Sequence, residues 1–211
     1  MSPAVGSQTS ILTLQNGLGS SDQLIEAFGQ NLILQGVTYL DATKTAAGTI
    51  SEHGGRCSIV FGQLDETHGA RSAGILHQLR SAGINATVSH QIERDLWNKL
   101  IYICALSGMT CITRSTFSDI LDTPETLALT ERLMHEVEDV ARAKGVDLDS
   151  GVVDTILSEF QTHKHNLVSS MYTDLKNGLP LEVQALNGAV SRIGKAVRVP
   201  TPINDVIASC L

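Results

Sequence analysis

The sequence predicts an α/β segment followed by an all-helical domain. Three observations carry that reading. Residues 10 to about 90 alternate short β-type runs with glycines and helical stretches. From Asp95 onward apolar residues recur at helical spacing and β-type runs disappear. Apolar residues make up 42% of the 211 positions and charged residues 18%, enough to build a sizeable core.

The run ILTLQ (11–15) reads as a buried strand. SDQLIEAFG (21–29) reads as a helix with Ser21 or Asp22 near its cap and Gly29 at its end. LILQGVTYL (32–40) is a second strand, and GTISEHGGRCSIVFG (48–62) predicts an antiparallel pair turning at Gly54-Gly55. RSAGILHQLRSAG (71–83) is a helix, and INATVSH (84–90) is the last strand. A buried helix starts at Leu96, apolar on most sides. DTPETLALTERLMHEVEDVARAKG (122–145) opens with a capping residue and Pro124, then closes on Gly145. Its stripe of Leu133, Val137 and Val140 has helical spacing, as do Val152, Val153, Ile156, Leu157 and Phe160 in the next segment. A further helix covers roughly 163–176 and stops at Asn177-Gly178. Pro180 opens the last long helix, through about Val197, and VPTP separates it from a short terminal one. The domains divide as 1–92 and 93–211.

The formal net charge is −7 and no block of lysine or arginine stands out, which argues against nucleic acid or a membrane surface as partner. A small anionic substrate needs only one or two local cations. Cys57, Cys104, Cys111 and Cys210 form no C-x-x-C pair and are too sparse for a disulfide scaffold, so reduced thiols in a cytoplasmic protein are expected. The opening MSPAVGSQTS lacks the basic and apolar regions of a signal peptide. The longest apolar run, around 100–109, is too short to span a bilayer. No metal site is expected. His163 and His165 stand two apart on a predicted helix and face different sides, and His53 and Cys57 flank a Gly-Gly turn without a second pair.

Two features invite a chemical reading. Lys99 sits in a run from Leu96 to Leu106 that is otherwise almost wholly apolar, where a charge is costly unless a partner or a task holds it. It is either a partly desolvated proton donor or a lysine whose stem is buried and whose head reaches solvent, with Asp95 one turn back. The strand, turn and helix of ILTLQNGLGSSDQLIEAFG, with Gly17-x-Gly19 and Asp41 ending the next strand, imitate a dinucleotide fingerprint. The imitation fails at the third glycine, where Asp22 would bring a carboxylate beside phosphates. Asn16-Gly17 is also a turn dipeptide in its own right.

LQNGLG after a strand, WNKL opening a buried helix, SSMYTDLKNG, and LEVQALNG after it occur in an order and at separations that resemble the ketopantoate reductase (2-dehydropantoate 2-reductase) family. The resemblance covers nearly the whole chain from Ile11. It implies the C-terminal part of a Rossmann-type NADPH-binding domain over 1–92. It also implies an all-helical substrate-binding domain, like that of 6-phosphogluconate dehydrogenase, over 93–211. The implied activity is reduction of 2-dehydropantoate to pantoate on the way to coenzyme A. Against the family pattern the chain begins late, without the Gly-rich phosphate loop, so LQNGLG corresponds to a later turn near the nicotinamide end of the cofactor. The 211 residues alone are then expected to bind NADPH weakly and not to turn over.

By the same resemblance Lys99 is the general acid, and Glu182 is the carboxylate that bonds the substrate hydroxyl region and helps hold the site. Ser170 binds the substrate carboxylate, and Asn16 with Gly17 stands between cofactor and substrate. Asn166 lies one residue from where another substrate-binding asparagine is expected. Ile103 and Ser107 occupy positions where many members have asparagines; the serine still offers one hydrogen bond and the isoleucine none. Each role has a plainer counterpart. Glu182 follows Pro180 in a first turn and complements a helix dipole, Ser170 is a small mid-helix residue, and Cys104 is a buried structural thiol. The rivals are a reductase of a different 2-oxo acid and a non-catalytic helical dimerisation or binding module. An apolar helical domain is compatible with a homodimer.

Overall fold

The computed structural model describes residues 4–40, 42–52, 57–63, 69–162 and 167–211. They form two compact units. One contains the described residues up to Gln15 and from Ser20 to Asp95; the other contains Asn16–Gly19 with Leu96–Leu211.

The first unit runs β1 (Ile11–Thr13), α1 (Ser20–Phe28), β2 (Ile33–Tyr39), β3 (Ala42–Ala46), β4 (Thr49–Glu52), β5 (Ser58–Gly62), α2 (Gly69–Ser81) and β6 (Ala86–Val88). Four strands make one sheet in the order β1-β2-β5-β6. The β1/β2 and β5/β6 pairs are parallel, each joined through a helix, whereas β2 and β5 are antiparallel with Val37 opposite Val60. Ile33 to Val37 are buried without alternation, as in a strand covered on both faces. Leu34, Phe61 and Ala86 form the small core, with Leu76 and Leu79 of α2 packed on it.

The expected pairing of β4 with β5 does not form. β4 pairs with β3 across a two-residue connection, and β5 pairs with β2. Burial explains the choice. β5 buries Ser58, Phe61 and Gly62 and therefore needs a core strand beside it, which β2 supplies. The β3/β4 hairpin is mostly exposed, so ATKTA lacks the apolar signal that would have marked it as a strand. Gly54-Gly55, His53 and Asp41 lie outside the described residues.

α3 (Ile92–Thr113) starts four residues before the expected Leu96. Ser89 sets the start: its hydroxyl accepts from Gln91 N at 3.0 Å and donates to Asp95 at 2.5 Å. Along α3, Trp97, Ile101, Cys104, Ala105 and Met109 are buried and form the spine of the second unit. Then follow α4 (Phe117–Asp122), α5 (Pro124–Ala143), α6 (Val152–Thr162), α7 (Ser170–Lys176), α8 (Asn187–Val197) and α9 (Pro202–Cys210). The stripes read from the sequence on α5 and α6 are buried as expected. Phe160 stacks on Tyr102 at 4.4 Å and meets Phe117 at the same centroid distance. Each such aliphatic or aromatic side chain contributes about 1.5–3 kcal/mol by burial.

Three boundaries differ from expectation. α4 was not expected; Thr116 starts it, accepting from Asp119 N. α7 begins at Ser170, not near 163, because Ser169 is its cap: the buried Ser169 Oγ accepts from Tyr172 N at 3.0 Å and pairs with Thr110 Oγ1 at 2.9 Å. His163, His165 and Asn166 lie outside the described residues. Pro180 does not open a long helix. A 3-10 turn at Glu182–Gln184 is separated from α8 by Leu186, whose φ of −100° and ψ of −108° leave helical geometry.

Ser169→Ala removes both the cap and the partner of a buried hydroxyl, so it should lower stability by about 1–2 kcal/mol. Urea unfolding followed by circular dichroism reads this, with Ser170→Ala on the exposed neighbour near zero. No helix of the described residues is long and apolar enough to cross a membrane.

Candidate functional site

The second unit brings Lys99, Asn16 and Glu182 together. Lys99 is half-buried on α3 between the fully buried Trp97 and Leu100. Its ammonium donates to Asn16 Oδ1 at 2.7 Å, and Asn16 Nδ2 donates to Glu182 Oε2 at 3.3 Å. An ammonium can only donate and a carboxylate only accept, so the amide has one orientation that serves both. Burial pushes the Lys99 ammonium below its ordinary value, and the Glu182 carboxylate partly opposes that shift. The result is a protonated amine that gives up its proton more readily than a solvated lysine.

Asn16 is 83 residues from Lys99 and 166 from Glu182. Its turn is held from below. Leu18 N donates to Ala185 O at 2.9 Å. In an unbroken helix that carbonyl would accept from Ala189 N, which instead donates to Leu186 O at 2.9 Å. The helix break at Leu186 is therefore what frees Ala185 for the turn. Gly17 has φ +79°, and a Cβ there would stand 2.1 Å from Ala185 O. Its missing side chain admits the chain's own carbonyl, and that gives a structural reason for the glycine of LQNGLG.

The remaining expected residues are placed as follows. Ser107 is 1% exposed on α3 and Ile103 packs against the helical core, so α3 beyond Lys99 turns apolar. Ser170 is exposed at the first position of α7, not mid-helix. Farther along α7, Tyr172 and Lys176 line an open cavity of about 330 Å³ with Arg114 and Thr116. Cys104 is wholly buried and its thiol is pushed far up; Cys111 is pushed up to about 11 by burial. Neither can act as a thiolate near neutral pH. Among the described residues no group of His, Cys, Asp and Glu could hold a metal ion.

The turn does not suit a pyrophosphate. Ala185 O fills the space at Gly17, and Asp22 stands in the first turn of α1. What the turn does offer is a neutral amide, Asn16, beside a carboxylate. That donor set fits a carboxamide-bearing ring better than a phosphate.

Comparisons with known proteins give the family and the fold. Residues 91–211 match the family model described as the ketopantoate reductase PanE/ApbA C-terminal domain, and residues 1–66 match the ketopantoate reductase PanE/ApbA model. The chain is 28% identical over 198 residues to a 2-dehydropantoate 2-reductase of Halobacterium salinarum, covering 94% of this chain and 65% of the relative. It superposes on the crystal structure of 2-dehydropantoate 2-reductase from Geobacter metallireducens with a TM-score of 0.91 and 28% identity, covering 99% of this chain and 69% of the other. D-mandelate dehydrogenase in complex with NADH and anilino(oxo)acetate gives a TM-score of 0.87 and 26% identity, covering 97% and 66%. The chain thus spans about two thirds of the length of these relatives. The shared fold is a Rossmann-type unit followed by a helical domain.

Proposed function

Because the chain belongs to the ketopantoate reductase family, we propose that it carries the proton-donating and substrate-binding part of a nicotinamide-dependent 2-oxo acid reductase, with 2-dehydropantoate as substrate and NADPH as reductant. The observation that carries this reading is the hydrogen-bonded chain Lys99–Asn16–Glu182. A ketone reduced at carbon becomes an alkoxide at oxygen and needs a proton as it forms. Lys99 Nζ supplies that proton and is left as a neutral amine, which solvent reprotonates. Asn16 Oδ1 aims the ammonium, and Glu182 aims the amide. NADPH, when bound, supplies the hydride, and Asn16 and Glu182 are the residues that would border its nicotinamide. Ser170, exposed at the start of α7, is left to meet the substrate carboxylate.

A second reading has its own support. Ile103 and the buried Ser107 leave α3 beyond Lys99 without a free amide, and an apolar wall favours a 2-oxo acid with an apolar substituent. Absorbance at 340 nm, followed with the whole reductase against a panel of 2-oxo acids and both nicotinamide cofactors, separates the two. The expected result is the highest kcat/KM with 2-dehydropantoate and NADPH. A preference for an aromatic 2-oxo acid would move the assignment to the second reading, and no oxidation with any acid would overturn both.

A further inference from the structure

Behind the Glu182–Ala185 turn lies a set of buried polar groups that the proposed chemistry does not use. Asn187 opens α8 and Asn204 lies in α9, and both are fully buried. Glu136 projects from α5 to the start of α9. Its carboxylate accepts from Ile203 N at 2.9 Å, from Asn204 N at 3.0 Å and from Asn204 Nδ2 at 2.8 Å. Asn204 Oδ1 in turn accepts from Asn187 Nδ2 at 2.9 Å, and the same Nδ2 lies 3.4 Å from Cys104 O of α3.

This chain has a direction. An ionised carboxylate can only accept, so it draws the NH₂ end of Asn204 towards itself. The oxygen end of Asn204 then faces Asn187 and draws the NH₂ end of that residue. Neither amide can flip without setting two acceptors or two donors against each other. Asn187 Oδ1 is left against α3 with no hydrogen bond from the described residues. Gly108 makes room for it: a Cβ there would stand 3.2 Å from Asn187 Oδ1 and 3.1 Å from Nδ2. A buried acceptor without a donor is costly and calls for a compensating role.

The position of Asn187 suggests that role. It follows Ala185 by two residues and Glu182 by five, and it touches α3 at Cys104 and Gly108, just beyond Lys99. We infer that Glu136, Asn204 and Asn187 form a one-way relay that fixes the Glu182–Ala185 turn against α3, and so holds Lys99, Asn16 and Glu182 in register. All three are positioning residues. They act through the backbone at 185–187 and through α3. The kinetic consequence rests on Lys99 being the proton donor, but the geometric one does not.

The test reads Lys99 itself. In the 211-residue chain carrying labelled lysine, the Lys99 side-chain NMR signal, assigned by its loss in Lys99→Arg, is titrated with pH. In wild type it should titrate below the ordinary lysine value of 10.5. In Glu136→Gln, whose side chain keeps its volume but can now turn either end to Asn204, the Lys99 titration should move up towards that of a solvated lysine. Asn187→Ala should do the same; if it fails to fold, Glu136→Gln carries the test alone. Val137→Ala, a core truncation on the same helix, should leave the Lys99 titration in place. An unmoved Lys99 in folded Glu136→Gln, or an equal movement in Val137→Ala, would overturn the relay. In the whole reductase, Glu136→Gln should lower kcat by about 10- to 100-fold, the scale expected for a small misplacement of reacting groups, and shift the alkaline limb of its pH profile upward. Movement of Lys99 in the titration, together with full activity of Lys99→Ala in the whole reductase, would uphold the relay and reject Lys99 as the proton donor.

Discussion

In the whole reductase, Lys99→Ala should lower kcat by two or more orders of magnitude, with a smaller effect on KM. That is on the order of what general acid catalysis supplies. The alanine variant leaves the alkoxide to be protonated by water, and it leaves Asn16 Oδ1 without the ammonium now 2.7 Å away. Lys99→Arg does not restore the rate, because a guanidinium holds its proton too tightly to donate it. The pH profile supplies the sign. Donation needs the protonated amine, so activity is full below the Lys99 pKa and falls as pH rises through it. Burial places that pKa below the ordinary 10.5, so the alkaline limb lies to the acid side of a solvated lysine. Glu182 raises it, so Glu182→Gln moves the limb to still lower pH. Steady-state cofactor oxidation across pH checks each step. A wild-type rate in Lys99→Ala would reduce the lysine to a structural role, whereas no cofactor oxidation even by the wild-type whole protein would favour a non-catalytic binding module.

Gly17→Ala destabilises the protein by about 3 kcal/mol or more, the range reached by overpacking combined with a forbidden backbone angle. The new methyl would stand 2.1 Å from Ala185 O and 2.6 Å from the carbonyl carbon, both backbone atoms that cannot swing aside. Relief requires the turn to lift, which carries Asn16 away from Lys99 and Glu182. Gly19→Ala is the matched control. Its φ of +102° is equally unsuited to alanine, but no atom of the described residues lies within 4 Å of the added carbon. It costs only the backbone strain, about 1–2 kcal/mol. Denaturant midpoints of the two variants measure the difference. Equal midpoints would mean that the Ala185 contact contributes nothing.

Local signals made much of this molecule legible, and long-range ones did not. The stripes of α5 and α6 announce themselves because a helix face repeats within four residues. Lys99 is conspicuous because the run around it, apart from Asn98, is apolar. The β3/β4 hairpin was missed because an exposed strand needs no apolar residues, and the Gly-Gly pair drew attention to the wrong turn. The helix break at Leu186 carries no proline or glycine of its own. What it serves is the Ala185 carbonyl it frees for Leu18, 167 residues earlier in the chain. Ser170 reads as mid-helix from sequence because the cap is the serine before it, and two adjacent serines look alike until one is seen buried. Asn187, Asn204 and Glu136 could not be found by spacing at all. Their partners lie 17 and 68 residues apart, and nothing local distinguishes a buried asparagine from a turn residue.

The four residues Asn16–Gly19 belong by their contacts to the helical unit, although the chain on either side of them belongs to the sheet unit. This makes the helical domain poorly portable. A fragment cut at Leu96 would discard the donor to Ala185 O and the amide that aims Lys99, and no crossover between Gly19 and Leu96 transfers Asn16, Lys99 and Glu182 together. An engineer grafting this domain, or an evolving gene exchanging it, must carry LQNGLG along with its far-off partners or rebuild the site from nothing.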